Sequence, residues 1–215
     1  MQKEYKTVLN QACAVYEEKK SKFIATVSPA STEDEALDFI NRLRHRYWDA
    51  SHNVYSYYII GNNIIQRFSD DGEPAGTAGM PVLEAIKKHE LQNAAVVVTR
   101  YFGGTLLGAA GLVRAYGRSA SLGIEAAVIV RKQLCARIRI VVGYPLFGRL
   151  QNLVSAKGYA VEGVSYGQDV ELTIFVPVDE AGSFAGSVNE ATNANSVTEI
   201  CDNAYITLDL DGKLV

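Results

Sequence analysis

The chain has no long apolar stretch. Its uninterrupted runs, such as Ala94–Val98 and Ala126–Val130, fall far short of the roughly 20 residues that a membrane helix needs. The opening residues, Met-Gln-Lys-Glu-Tyr, hold no apolar core segment. No secretory signal is read there, and a cytoplasmic location is expected. Cysteine is scarce. Cys13, Cys135 and Cys201 form no Cys-x-x-Cys and no zinc spacing. Each falls in a stretch that reads as a strand, where a small buried apolar role is expected. His45, His52 and His89 make no ligand pattern, although His52 opens a strand and can reach a site built at its end. An excess of positive charge is also missing. Up to Val130 there are 14 basic and 14 acidic residues, and after it 7 and 10. This balance excludes a polycation that binds nucleic acid by bulk counterion release, and leaves a local basic face open. Catalytic signatures are absent too. There is no Gly-x-Ser-x-Gly elbow, and Ser69, beside two aspartates, has no evident base.

What is present reads as an ordinary globular chain. Of 215 residues, 48% are hydrophobic and 21% charged, which fits one or two folded domains; the order of elements that follows is of mixed α+β class. Ala12–Tyr16 and Phe23–Val27 read as strands joined by a charged turn. Thr32 and Glu35 form a capping-box start. The helix that follows carries Ala36, Leu37, Phe39, Ile40 and Leu43 on one side. Val54–Ile60 and Ile64–Phe68 flank Gly61-Asn-Asn63, a hairpin signal. A short helix over Met80–His89 has Pro81 in its first turn. Ala94–Thr99 reads as a strand covered on both faces. A Gly- and Ala-rich helix over Leu107–Ala127 implies close packing on a sheet. The remainder reads β-α-β-β-α-β, the ferredoxin-like order. Its strands are Ala136–Val142, Tyr159–Ser165, Val170–Val176 and Thr198–Leu210. Its helices are Pro145–Lys157, ended by Gly158, and one capped by Asp179 and running through Thr192. The expected domains are residues 1–132 and 133–215.

Two glycine-studded polar segments carry the functional signal. The first is Arg67-Phe-Ser-Asp-Asp-Gly-Glu-Pro-Ala-Gly-Thr-Ala-Gly79, and the second runs from Thr99 to Tyr116. Folding alone does not require so many glycines, acids, arginines and aromatics in two connectors, so binding or chemistry is expected there. Asp70, Asp71 and Glu73 offer carboxylate oxygens to a hard cation, but their spacing is not that of an EF-hand. A capping and turn network, or a partner contact, is the expected role. Gly76-Thr77-Ala78-Gly79 precedes a helix whose free N–H groups attract anions. Gly103-Gly104-Thr-Leu-Leu-Gly108 approaches P-loop spacing, yet Ala109 and Ala110 stand where Lys and Ser/Thr belong. Leu106 breaks a dinucleotide fingerprint. Arg100, Arg114 and Arg118 could face phosphates, with Tyr101 or Phe102 stacking bases. At least one of these two aromatics is expected in the core.

These segments resemble the IMPACT/YigZ family. Asp70–Pro81 and Val96–Tyr116 follow its long motifs nearly throughout, and Lys20–Ile24 and Ser51–Val54 match earlier pieces. Ala110 stands where glycine is usual, and Leu106 where a basic residue is common. The resemblance implies an N-terminal β-α domain like the second domain of a small-subunit ribosomal protein. It also implies a C-terminal ferredoxin-like domain like that of elongation factor G. Eukaryotic members act in translational control by competing for a scaffold that activates an initiation-factor kinase.

The first expectation is a non-enzymatic RNA- or ribosome-binding protein linked to translation, without cofactor or metal. Its site residues would be Arg67, Asp70, Asp71, Glu73, Gly76, Thr77, Arg100, Tyr101, Phe102, Gly103, Gly104, Arg114 and Arg118. The alternatives are a hydrolase or transferase of a small anionic substrate, using the acidic loop, and a protein–protein adaptor.

Overall fold

Separate apolar clusters divide the chain into two units. The computed structural model describes residues 2–61 and 63–215. One unit is Tyr5–Val130; the other is Arg131–Val215 together with Gln2–Glu4.

The N-terminal unit contains β1 (Glu4–Val8), β2 (Ala12–Glu18), β3 (Ser21–Pro29), α1 (Glu33–Arg46), β4 (His52–Ile60), β5 (Ile64–Ser69), α2 (Gly79–Lys88), β6 (Ala94–Tyr101) and α3 (Ala109–Glu125). Five strands form an antiparallel sheet in the order β2-β3-β6-β4-β5. β6 is central, and its apolar run is buried on both faces, as its lack of alternation predicts. Side chains alternate across the sheet. Phe23, Ala25, Val27, Val54, Val96 and Val98 face α2 and α3. Tyr57, Ile59, Ala95 and Val97 face α1 through Phe39, Ile40 and Leu43. The small residues of α3 permit its close approach. A Cβ on Gly123 would stand 2.9 Å from that of Ala25.

Thr32 caps α1 by accepting from Glu35 N at 3.2 Å, while Glu35 reaches back to Ser31 N rather than to Thr32. Leu37 is not on the buried stripe; it is exposed. β4 and β5 pair up to Ile60 and Ile64, and Asn62 of the expected turn lies outside the described residues. β1 was not apparent in the sequence, because only Thr7 and Val8 of its five residues are buried.

The C-terminal unit contains β7 (Ile129–Val142), α4 (Tyr144–Lys157), β8 (Ala160–Tyr166), β9 (Val170–Pro177), α5 (Ala181–Thr192) and β10 (Ser196–Leu208). Its strand order β10-β7-β9-β8 is the ferredoxin-like arrangement. Ile138, Ile140, Leu172 and Ile174 pack beneath Leu150, Val154, Phe184 and Val188 of the two helices. Gly158 takes a φ of 68° at the end of α4, as a C-terminal glycine should. Asp179 is not the cap of α5. That position is Glu180, without a side-chain bond, and Asp179 instead pairs with Lys3 at 2.7 Å. Arg137 and Arg139 form cross-strand pairs with Glu162 and Glu171, both at 2.6 Å. Gln2–Glu4 join this unit through Leu134 N donating to the Lys3 carbonyl at 2.8 Å and the Tyr205 hydroxyl donating to that of Gln2. Of the cysteines, Cys135 is buried, whereas Cys13 and Cys201 are exposed and so are not the core residues their strand positions suggested.

Candidate functional site

The acidic loop between β5 and α2 folds on its own carboxylates. Asp70 accepts from the backbone N–H groups of Gly76 (2.8 Å), Ala78 (3.0 Å) and Gly79 (2.8 Å). Burial opposes its ionisation, but these three donors outweigh burial and hold the carboxyl below its ordinary range. The anion expected at the start of α2 is therefore supplied by the chain itself, and an external phosphate finds that end occupied. Asp71 accepts from Asn53 N at 2.6 Å and from Arg44 at 3.1 Å. Neither aspartate is spare for a cation or a substrate. Among the described residues no three His, Cys, Asp or Glu side chains cluster as a metal site would need. Thr77 is buried, and its hydroxyl donates to the Pro74 carbonyl at 2.7 Å.

Two left-handed residues, Asp71 (φ 47°) and Gly72 (φ 88°), turn the chain so that Glu73 points inward. Its side chain is 5% exposed, and that of Arg100 is 6% exposed. Arg100 Nη1 donates to Glu73 Oε1 at 2.5 Å, and Nη2 to Ser21 Oγ at 3.2 Å. The guanidinium carbon stands 5.4 Å from the Phe23 ring and 5.5 Å from the Phe102 ring, within reach of cation–π attraction. Tyr116 donates from α3 to the same Oε1 at 2.8 Å. Burial and the negative charge of Glu73 push that phenol far above its ordinary range. His52 Nε2 lies 3.8 Å from Oε1, and Nδ1 is 2.8 Å from the Asp71 carbonyl. A carbonyl only accepts, so Nδ1 carries a proton, and in the neutral ring Nε2 is an acceptor.

Above this polar base opens a cleft of about 370 Å³. His52, Glu73 and Arg100 form its base, and Phe102, Leu106 and Leu112 give apolar walls. The first turn of α3 forms another wall, and no side chain caps its N–H groups. A second groove, also about 370 Å³, lies on the other side of Leu107, which lines both. Lys19, Arg114 and Arg118 supply its cations, with Tyr16 and Glu18 at its edge. Tyr16 donates to Glu18 at 2.7 Å, and that bond, with burial, raises its phenol above the ordinary value. The Arg118–Glu125 pair is exposed and 3.9 Å apart, so it ties up little of the arginine.

Lys19 is one of two lysines in the turn joining β2 to β3. The strands pair up to Glu18 and Ser21, leaving Lys19 (φ 46°) and Lys20 (φ 66°) as a two-residue loop. Asn-Gly is the usual solution for such φ angles, and a left-handed conformation costs an ordinary residue about 1–2 kcal/mol. Gly103 rests directly on this turn. A Cβ there would lie 2.0 Å from the Lys20 carbonyl carbon. Gly104 and Gly108 have φ of 81° and 73°, which shape the loop carrying Leu106.

The expected residues are thus partly gathered. Glu73, Arg100 and Phe102 belong to the cleft, and Arg114 and Arg118 to the adjoining groove; Gly103 and Gly104 do not line the cleft, Gly103 resting on the Lys19-Lys20 turn. Arg100 does not offer its charge to phosphate as expected, because it is buried against Glu73. Asp70, Asp71, Gly76 and Thr77 build the loop. Arg67 pairs with Tyr57 on the α1 side of the sheet, away from the cleft. Tyr101 faces the same side and donates to Asp49 at 2.8 Å. Neither aromatic enters the core: Tyr101 is half-buried and Phe102 is 48% exposed. Tyr116, Ser21 and Lys19 also belong to these sites, though they are not among the residues expected from the sequence. The signal for Ser21 was its place in the Lys20–Ile24 motif, and for Tyr116 its place at the end of the second segment.

Residues 19–124 match the model of the Impact N-terminal domain, and residues 140–195 that of a domain of unknown function, DUF1949. The chain is 40% identical over 177 residues to IMPACT family member YvyE of Bacillus subtilis, covering 82% of each protein. It is 30% identical over 176 residues to IMPACT family member YigZ of Escherichia coli, covering 81% of this chain and 86% of that one. A solved structure, named only as that of a hypothetical protein, superposes with a TM-score of 0.61 and 25% identity, over 94% of this chain and 99% of the other. The two matched models, in this order, and the identity running across most of both chains place this protein in the IMPACT family.

Proposed function

We propose that the N-terminal unit binds single-stranded RNA, free or on the ribosome, in the control of translation. The observation that carries this reading is the pairing of two pockets across Leu107, one apolar with an exposed aromatic ring, the other cationic. Stacking platforms beside a positive groove are how proteins hold unpaired strands. The uncapped first turn of α3 adds N–H donors that favour phosphate. The lysines in the β2–β3 turn point the same way, because strained backbone gathers where function needs it. On the C-terminal sheet Arg137 and Arg139 are paired with carboxylates, so the RNA site is assigned to the N-terminal unit. Membership of the IMPACT family supports the link to translation.

The test is fluorescence anisotropy with unstructured RNA across a salt series. Three contacts, from Lys19, Arg114 and Arg118, give a log–log salt slope of about −2. The double substitution Arg114→Ala/Arg118→Ala, which leaves one contact of the three, should flatten that slope to about −0.7. A slope near zero, or one unmoved by the double substitution, removes the reading.

A second reading, acid–base catalysis on a small anionic substrate, draws on the placement of His52 Nε2 and Glu73 at the cleft base. Turnover on a phosphate-ester and peptide panel that is lost in His52→Gln would support it. Absence of turnover across the panel would count against it.

A further inference from the structure

We infer that the cleft over Glu73 selects a nucleobase bearing an exocyclic amino group (adenine, cytosine or guanine) and rejects uracil. This rests on the RNA-binding reading and adds base selectivity to it.

The donors at the cleft base are turned on one another or scarcely exposed. Arg100 Nη1 and Nη2 each spend one N–H, on Glu73 and Ser21, and the Tyr116 hydroxyl donates to Glu73; only 6% of the Arg100 side chain is exposed, so its other N–H groups are scarcely presented to a ligand. Among the described residues Arg100 Nε has no partner, and it is sealed from the surface. What remains is acceptor capacity. Arg100 and Tyr116 both donate to Glu73 Oε1, and Oε2 has no hydrogen-bond partner among the described residues. In the neutral ring His52 Nε2 is a second acceptor, since Nδ1 donates to the Asp71 carbonyl. A ligand that enters must therefore bring donors.

Charge narrows the choice further. Arg100 neutralises Glu73 at 2.5 Å, so the pair carries no net charge to hold an ammonium group. A neutral donor fits better, and the Phe102 ring, 48% exposed, asks for a flat one. A nucleobase amino group is neutral, flat and donor-bearing. Uracil presents a single N–H between two carbonyl oxygens, and those oxygens would meet Oε2 and Nε2 acceptor to acceptor. The remaining donors suit the rest of a nucleotide, since the free N–H groups of α3 line the outer wall and Arg114 lies beyond Leu107.

The experiment uses the full chain and four oligomers of equal length at one low salt concentration: oligo-A, oligo-C, oligo-U, and oligo-A with purine riboside in place of adenosine. A hydrogen bond to a charged acceptor sets the expected scale. Oligo-U and the purine-riboside oligomer should bind at least about tenfold more weakly than oligo-A and oligo-C. The purine-riboside strand deletes only the amino group, so no protein variant needs to fold. Equal affinity for all four overturns the base selectivity while leaving RNA binding intact. Failure of all four to bind overturns the RNA reading itself.

Discussion

Replacing Glu73 by leucine tests the centre of the site. The Glu73 and Arg100 side chains are 5% and 6% exposed, so water screens their attraction little. Removing one member of such a buried pair costs about 3–5 kcal/mol, because the other charge is left uncompensated. The Tyr116 hydroxyl would also lose its acceptor, adding about 1–3 kcal/mol. Against a total stability of about 5–15 kcal/mol, that is a large share. Arg100→Met should cost about 3–5 kcal/mol for the same reason, in reverse. The double variant, Glu73→Leu/Arg100→Met, should be more stable than either single variant, since no buried charge is left alone. The coupling is expected to be about 3 kcal/mol or more. Native-state hydrogen exchange of the Val96–Val98 amides is the right assay, because these lie at the centre of the N-terminal sheet and do not report on the other unit. If the double variant costs as much as the two single variants together, the pair is not the coupled unit described above.

Other changes probe the surrounding parts. Replacing Lys19-Lys20 by Asn-Gly should stabilise the protein by about 1 kcal/mol in urea unfolding, because the new residues tolerate the left-handed φ angles. The same variant should weaken RNA binding and reduce its salt slope by about 0.7 through loss of Lys19. Gly103→Ala places a methyl 2.0 Å from Lys20 backbone, so it should lower stability by about 1–3 kcal/mol and shift the amide resonances of Lys20 and Ser21. Normal stability and unmoved resonances would contradict the packing. Asp70 is held below its ordinary value near 3.8. Its stabilising effect is therefore full above that value and is lost as pH falls through the lower folded one. The melting-temperature gap between wild type and Asp70→Asn should be constant above about pH 5 and should shrink toward about pH 3.

Much of the fold was legible because it follows local rules. The Thr32 cap, the alternating strands and Gly158 each act within a few residues of chain. The uninterrupted run before Arg100 marked a strand covered on both faces. The fate of Arg100 was harder to read. It continues that buried strand, so a buried partner was needed, but three carboxylates stood in one loop and only tertiary geometry singles out Glu73. Asp70 illustrates the converse. The helix start was rightly read as anion-seeking, and the anion proved to lie six to nine residues earlier in the same loop. Asp179 was misplaced because its partner, Lys3, is 176 residues away in sequence.

The assignment of Gln2–Glu4 to the C-terminal unit has a practical consequence for dissecting the protein. The chain passes between the units twice, once after Glu4 and again after Val130. A single cut at the second crossing therefore does not yield two intact pieces. A C-terminal fragment starting at Arg131 would lose the ion pair of Lys3 with Asp179 and the carbonyl that receives Leu134 N–H. An N-terminal fragment would carry three residues deprived of their neighbours. Separate study of the second unit calls for a circular rearrangement that returns the first residues to its end.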